Sequence, residues 1–262
     1  MILSRVVTHV REQNWTAIAI DFVIVVVGVF IGIQVSNWNS ERIERREELV
    51  HLTAMAEDVA WSIDSLERLI DVMERQNEAR EALYAYCANP KATIDPEDRD
   101  RYIAVGLFHF SFMNLRQVTY EALRESGRLS IIGSPQLITA LQAMSANIAS
   151  VEMRQEDEAQ AMYLFSDPLL IANVDMANVF RQRHPNGNPP VITWLPDAPP
   201  APLTPEILKS TAFKNTLLYR SYFTLARLRD IERVLEDHHK IAELIAARKA
   251  ELGARSLSPR ND

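Results

Sequence analysis

From Thr16 to Val35 the chain reads TAIAIDFVIVVVGVFIGIQV, a run long and apolar enough to cross a lipid bilayer. About 20 residues at roughly 1.5 Å each cover a hydrocarbon core of ~30 Å. Inside hydrocarbon a single segment satisfies its own backbone N–H and C=O groups only as a helix. No charged residue falls between positions 22 and 40. Trp15 and Trp38 bracket the run, at the depths where an aromatic belt seats amphipathic rings; Asn37 and Asn39 flank Trp38 as further interface anchors. A cleaved signal peptide has an apolar stretch of about 7–15 residues and a small-residue exit. Here the exit is Ser36-Asn-Trp-Asn-Ser40, so the expectation is a retained signal-anchor. A soluble helix that is apolar on every face would need a core all around it.

The span carries a patterned face. Gly28 and Gly32 form a GxxxG pair, and Ser36 extends the small-residue spacing. At 100° per residue, Asp21, Val25, Gly28, Gly32 and Ser36 fall within about 80° of one another. Small residues let helix backbones approach closely in lipid, so this face predicts self-association and a homo-oligomer. Asp21 sits in the first third of the span, where an ionisable side chain costs on the order of 2–3 kcal/mol. It either reaches headgroups, bonds across a helix pair, or serves ion movement in a larger complex. Orientation is weakly coded: Arg5 and Arg11 precede the span, and Arg42, Arg45 and Arg46 follow it. A short tail before a long domain favours an inner-membrane, single-pass protein with its C-terminal domain periplasmic rather than cytoplasmic.

Beyond the span the pattern is helical throughout. Glu41 to Glu48 alternates acids and arginines on a solvated helix. Leu52, Met55, Val59, Ile63, Leu66, Leu69 and Met73 then recur at steps of three and four, the pattern weakens at Gln76, and it resumes with Ala79 and Leu83. No proline or glycine interrupts positions 33–89, so the span is expected to continue into a coiled-coil-like stalk of about 45 residues, roughly 65–70 Å if unbroken. Asn37 to Ser40 is the expected bend. Asn89-Pro90 ends that helix, and Asp95-Pro96 opens another, to about Met113. Val118–Ser126 is a short helix stopped by Gly127, Leu129–Ile132 a buried connector, and Ser134-Pro135 a further helix start. Eight of the 13 prolines lie between Pro185 and Pro205, marking 181–205 as a helix-free loop. Trp194 within it is either pinned to the surface or a contact for a partner. Phe213–Leu252 reads as a second long amphipathic helix, with Leu217, Leu218, Leu225, Leu228, Ile231, Leu235, Ile241 and Ile245 among its apolar positions.

The expected fold is therefore all-α: a transmembrane helix continuing into a long amphipathic stalk helix, in an elongated helical bundle. Its parts are a short tail at 1–14, the span at 15–38, a helical domain at 39–255 and a flexible tail at 256–262. With 24% charged and 47% apolar residues the main body has the composition of a globular domain. The net charge of -7 shows no basic stripe, which argues against nucleic acid as a partner. Cys87 is alone, so an internal disulfide is excluded, and it reads as a small buried hydrophobe.

Two passages together resemble a family of bacterial envelope proteins catalogued only as a domain of unknown function. The first is DFVIVVVGVFIGIQVSNWN at 21–39, and the second TYEALRESGRL at 119–129 followed by Ile131-Ile132. The resemblance covers roughly positions 15–150. It implies a single-pass membrane protein with a helical domain and lends no activity. It carries over Asp21, Gly28, Asn37, Trp38 and Asn39 as an anchor signature and Tyr120, Glu121 and Gly127 as a domain signature. Tyr120 and Glu121 form either a hydrogen-bonded core pair or part of a ligand site.

No nucleophile elbow, P-loop, HExxH or dinucleotide fingerprint is present. Glu232, Glu236, His238 and His239 are the nearest approach to a metal cluster, but the E-x-x-H step lacks the second copy that di-iron bundles use. No cofactor and no enzymatic activity are expected. The leading functional expectation is a membrane-anchored, self-associating scaffold or interaction protein of the bacterial envelope, with other envelope proteins as partners. Two alternatives are a ligand-sensing helical domain that signals through a partner, and an accessory subunit of an ion-driven complex using Asp21.

Overall fold

A computed structural model of the chain describes residues 15–182, 188–195 and 205–257, with side chains described for 22–182, 188–195 and 206–254. The fold is all-α. Helix α1 (Trp15–Ala88) is assigned as one helix of 74 residues, through Asn37-Trp-Asn-Ser40 without a break. Then come α2 (Pro96–Ile103), a π-helical turn (Ala104–Phe108), α3 (Val118–Glu125), a 3₁₀ turn (Leu129–Ile131) and α4 (Pro135–Ala161). A second π-helical turn (Met162–Ser166), α5 (Asp167–Asn173), α6 (Met176–Arg181), α7 (Pro205–Leu208) and α8 (Thr211–Leu257) complete the order. The chain divides into two compact units, Met1–His51 and Leu52–Asp262.

In the first unit, α1 is exposed at every position from Phe22 to Arg42. Among the described residues it is the one helix long and apolar enough to cross a membrane. A soluble helix would hide such a surface, whereas lipid solvates it.

In the second unit, α1, α4 and α8 each present one buried seam. On α1 it runs through Leu52, Met55, Val59, Ser62, Leu66, Leu69, Met73, Gln76, Arg80, Leu83 and Cys87, alternating steps of three and four without a slip. On α8 the same alternation connects Phe213, Leu217, Arg220, Thr224, Arg227, Ile231, Val234, His238, Ile241 and Ile245. On α4 it connects Leu137, Leu141, Met144, Ile148, Val151, half-buried Gln155 and Glu158. A 3.5-residue period keeps one stripe facing the partner helices, the geometry of coiled-coil bundles. Pairing of Asn147 with Asp237, Arg154 with Asp230 and Glu158 with Thr224 makes α4 and α8 antiparallel. A second apolar cluster gathers Leu83, Cys87, Ile103, Leu107, Leu170, Val179 and Phe213.

Most expected starts and stops are found. Asp95 caps α2 by accepting from Glu97 N at 2.9 Å, and Ser134 caps α4 by accepting from Leu137 N at 3.3 Å. Two boundaries move. The helix expected to reach Met113 ends at Phe108, and His109 to Gln117 runs without helix. Side chains of other helices satisfy that segment instead: Gln76 donates to His109 O (3.2 Å), Ser65 to Asn114 O (2.8 Å), and Ser62 Oγ accepts from Arg116 N (2.9 Å). The polar interruptions of α1 thus hold a strap of non-helical chain. The last helix continues to Leu257, past the expected end at Leu252; the tail beyond Leu257 lies outside the described residues, as does the N-terminal tail. Within the proline-rich stretch, the described part at 188–195 contains no helix.

Candidate functional site: a buried arginine layer beside a cavity

Five polar members of the three seams meet at one level of the second unit. Arg80 from α1, Glu158 from α4 and Arg220, Thr224 and Arg227 from α8 are each no more than 1% exposed. Thr224 Oγ1 donates to Glu158 Oε1 at 2.7 Å, and Arg220 Nη1 lies 3.4 Å from the same oxygen. Arg227 Nε sits 2.9 Å from Glu158 Oε2 as an ion pair, although its N–H is not aimed for a hydrogen bond. Arg227 Nη1 donates to Ser111 O at 2.8 Å and to Gln155 Oε1 at 3.2 Å. The Phe110 ring lies 4.8 Å from the Arg227 guanidinium and 5.8 Å from that of Arg220, a cation–π contact with both.

Arg80 approaches from the other side. Its Nη1 donates to Gly106 O at 2.7 Å, and its Nε to Ser221 Oγ at 3.2 Å. Gly106 lies in the first π turn, where a Cβ would stand 3.1 Å from Arg80 Cγ and 3.3 Å from Arg80 N. A Cβ there would be tighter than ordinary van der Waals contact, so glycine eases this close approach. The second π turn follows Glu158 by four residues and leads into Asp167. Inserted π turns recur at functional sites because they redirect side chains and free carbonyls.

Three buried guanidinium groups face one buried carboxylate. Arginine does not lose its proton at physiological pH, so the imbalance is one of real charge. Burial pushes the Arg80 pKa down to about 9, with Arg220 lowering it further and Glu158 opposing. Burial likewise lowers Arg220 and Arg227, with Glu158 raising both. Asp167, at the start of α5, feels the charge of Arg220, yet burial raises its carboxyl above the usual range. Arg80 Nη2, Arg220 Nε and Arg227 Nη2 are buried without hydrogen-bond partners. An uncompensated buried charge costs several kcal/mol, so a fold that retains three arginines here has a reason to hold positive charge. The layer can bind and orient an anion; arginines offer it neither a base nor a nucleophile.

A cavity of about 300 Å³ lies against this layer, lined by Arg80, Tyr84, Leu217, Leu218, Ser221 and Leu225 among others. Leu218 and Leu225, counted among the apolar positions of the last helix, are 51% and 39% exposed. Arg220, Thr224 and Arg227 take the seam in their place. A search for apolar residues alone follows Leu218 and Leu225 off the seam; extending the three-four alternation from Leu217 through the polar positions would have found the layer.

The other sequence-derived residues do not join it. Gly28, Gly32, Ser36, Asn37, Trp38 and Asn39 are exposed on α1, and a Cβ at either glycine would meet nothing within 4 Å. The side chains of Trp15 and Asp21 lie outside the described residues, although both positions are helical. Tyr120 is 4% exposed beneath the Arg124 guanidinium, while Glu121 faces solvent, so the expected core pair between them is not formed. Adjacent helical residues point about 100° apart, which separates them. Gly127 has φ of +69° and ends α3, with its N–H bonded to Arg124 O and that of Arg128 to Leu123 O. Trp194 is 79% exposed, so its ring is not pinned to the domain surface. On α8, His238 is buried with Nδ1 2.7 Å from Val234 O, while Glu232, Glu236 and His239 face solvent. Burial lowers the His238 pKa, so the imidazole is neutral at pH 7. Cys87 is 4% exposed and burial pushes its thiol up to about 11.

No protein-family model, curated protein or solved structure matches the chain.

Proposed function

We propose that this protein is a non-enzymatic, membrane-anchored scaffold of the bacterial envelope that self-associates through its single transmembrane helix. The observation that carries the reading is the Gly28–Gly32–Ser36 face of α1. It is exposed in the chain, with open space where each glycine Cβ would stand. In lipid such a face gains by packing against a second helix of the same kind, because close backbone approach supplies the dispersion contacts that hydrophobicity does not. The sequence resemblance to single-pass envelope proteins supports the anchor and the compartment. The lack of a catalytic motif supports an interaction role, and Trp194 is an exposed aromatic contact of the kind partners bury.

Replacing Gly28 and Gly32 together with Leu fills that face while keeping the span apolar. The detergent-solubilised particle is expected to shift from oligomer to monomer mass in light scattering. An unchanged mass would remove the membrane helix as the assembling element and, with it, this reading.

A further inference from the structure

Over one stretch of α8 the usual placement of residue types is inverted. Between Leu217 and Leu228 the charged side chains, Arg220 and Arg227, are buried, while Leu218, Tyr219, Tyr222 and Leu225 are exposed. Steps of three and four carry the stripe of Leu218, Tyr222 and Leu225 onward through Arg229, Arg233, Glu236 and Lys240, all exposed. A helix that is apolar on its outer face as well as its inner one needs cover on both. The surface extends across α8. Phe165, in the second π turn, meets Tyr219 edge to face with ring centroids 5.4 Å apart, and Tyr163 and Leu164 beside it are exposed. On the other side, Leu218 and Leu225 line the cavity of about 300 Å³ that they share with Tyr84 of α1. From their exposures, these seven residues present on the order of 800 Å² of surface, what each partner gives to a standard-size protein interface. Monomers rarely leave an apolar patch of that size uncovered.

We propose that this face pairs with the same face of a second copy of the chain, about a two-fold axis near Tyr222. None of the seven side chains is charged at neutral pH, so pairing the face with itself brings no like charges together. A two-fold contact needs a knob and a hole on one surface, and this face has both. Tyr222 is 68% exposed, and the cavity beside it has room for an aromatic ring, since a void of ~150 Å³ accommodates benzene. The exposed acid on the cavity wall, Glu81, accepts from Asn77 Nδ2 at 2.6 Å. A tyrosine suits such a wall, with an apolar ring to bury and a hydroxyl that donates. The inference rests on the self-association proposed above, which holds two copies at an effective concentration on the order of millimolar. A contact too weak to survive dilution alone forms between copies held that way.

Cysteine cross-linking of the full-length protein in phosphatidylcholine liposomes, in a Cys87→Ser background, tests the pairing. Ala226→Cys puts a thiol in this face, one turn from Tyr222, and Ala146→Cys puts one on the exposed side of α4. A short bis-maleimide is expected to join Ala226→Cys into a covalent dimer in several-fold greater yield than Ala146→Cys. Adding Tyr222→Asp, which sets two carboxylates against each other across the axis, should lower that yield about tenfold. Equal yields at positions 226 and 146 would overturn the proposal, as would undiminished cross-linking with Tyr222→Asp. So would nitroxide-labelled lipid quenching a fluorophore on the Ala226→Cys thiol in the absence of a cross-linked dimer, which would lay the face on lipid. Tyr222 is exposed, and if Tyr222→Asp still fails to fold, the yield ratio and the lipid quenching decide. The light-scattering mass of Gly28→Leu/Gly32→Leu reports the span and the cross-link at position 226 reports this face, so the two failures are told apart.

Discussion

Glu158 accepts from Thr224 and stands within ion-pair distance of both Arg220 and Arg227, so one carboxylate answers for two buried guanidinium groups. Neutralising it without changing its shape isolates that electrostatic role. Glu158→Gln is expected to destabilise the domain by roughly 3–5 kcal/mol, because the arginines stay buried and lose their counter-charge. Asp230→Asn, which removes a buried carboxylate from half-exposed Arg154 and Arg233, is expected to cost less, about 1–2 kcal/mol, because water still reaches both guanidinium groups. Urea unfolding of the two variants beside the parent measures both. Equal losses would mean that burial does not set the strength of these pairs. At this scale the sequence was least transparent. Arg80, Arg220 and Arg227 are three of the chain's 28 basic residues, and nothing in their neighbours distinguishes them from solvated ones. Their seam position does, and that position is visible only when polar residues are allowed to continue an apolar alternation.

Local chemistry settles most helix ends. Asp95-Pro96, Ser134-Pro135 and Gly127 act through their own backbone or the next few N–H groups, so a short stretch of sequence suffices to place them. Gly127 is the sharpest case, because the two bonds that close α3 require a left-handed residue there. Gly127→Ala is expected to cost roughly 1–2 kcal/mol, read as a fall in the urea midpoint with an unchanged slope. The end at Phe108 was not local. Helical propensity continues to Met113, but Ser62, Ser65, Gln76 and Gln155 offer the strap from His109 a set of bonds that a helix would forgo. Asp58 completes that arrangement by accepting from Thr119 N at 2.9 Å, at the start of α3. Tertiary partners outbid propensity here, as they do wherever donors and acceptors on a neighbouring helix match a strap's backbone.

For the molecule as a whole, the proposed membrane anchor leaves one property that most directs further work: the side of the membrane on which it would place the second unit. Val191 is 96% exposed and distant in sequence from the span, which makes it a suitable reporter. A Val191→Cys protein in a Cys87→Ser background is expected to react with a membrane-impermeant thiol reagent in intact, outer-membrane-permeabilised cells. Labelling only after lysis would put the domain in the cytoplasm and redirect the search for partners there. Cys87 itself should stay unlabelled in the folded protein, since a thiol pushed up to about 11 is about one part in a thousand thiolate at pH 8.

The amino-acid sequence by itself determined the membrane-length helix, the all-α class, the heptad alternation and the caps, because each depends on hydropathy or backbone chemistry within a few turns of chain. The tertiary structure alone decided that Arg80, Glu158, Arg220 and Arg227 share one buried layer, that a strap replaces the end of a helix, and that a cavity opens beside Arg80. Those features join residues as many as 141 positions apart. Hydropathy cannot pair residues at that separation, because a polar side chain at a seam position looks the same in sequence whether it meets water or another helix.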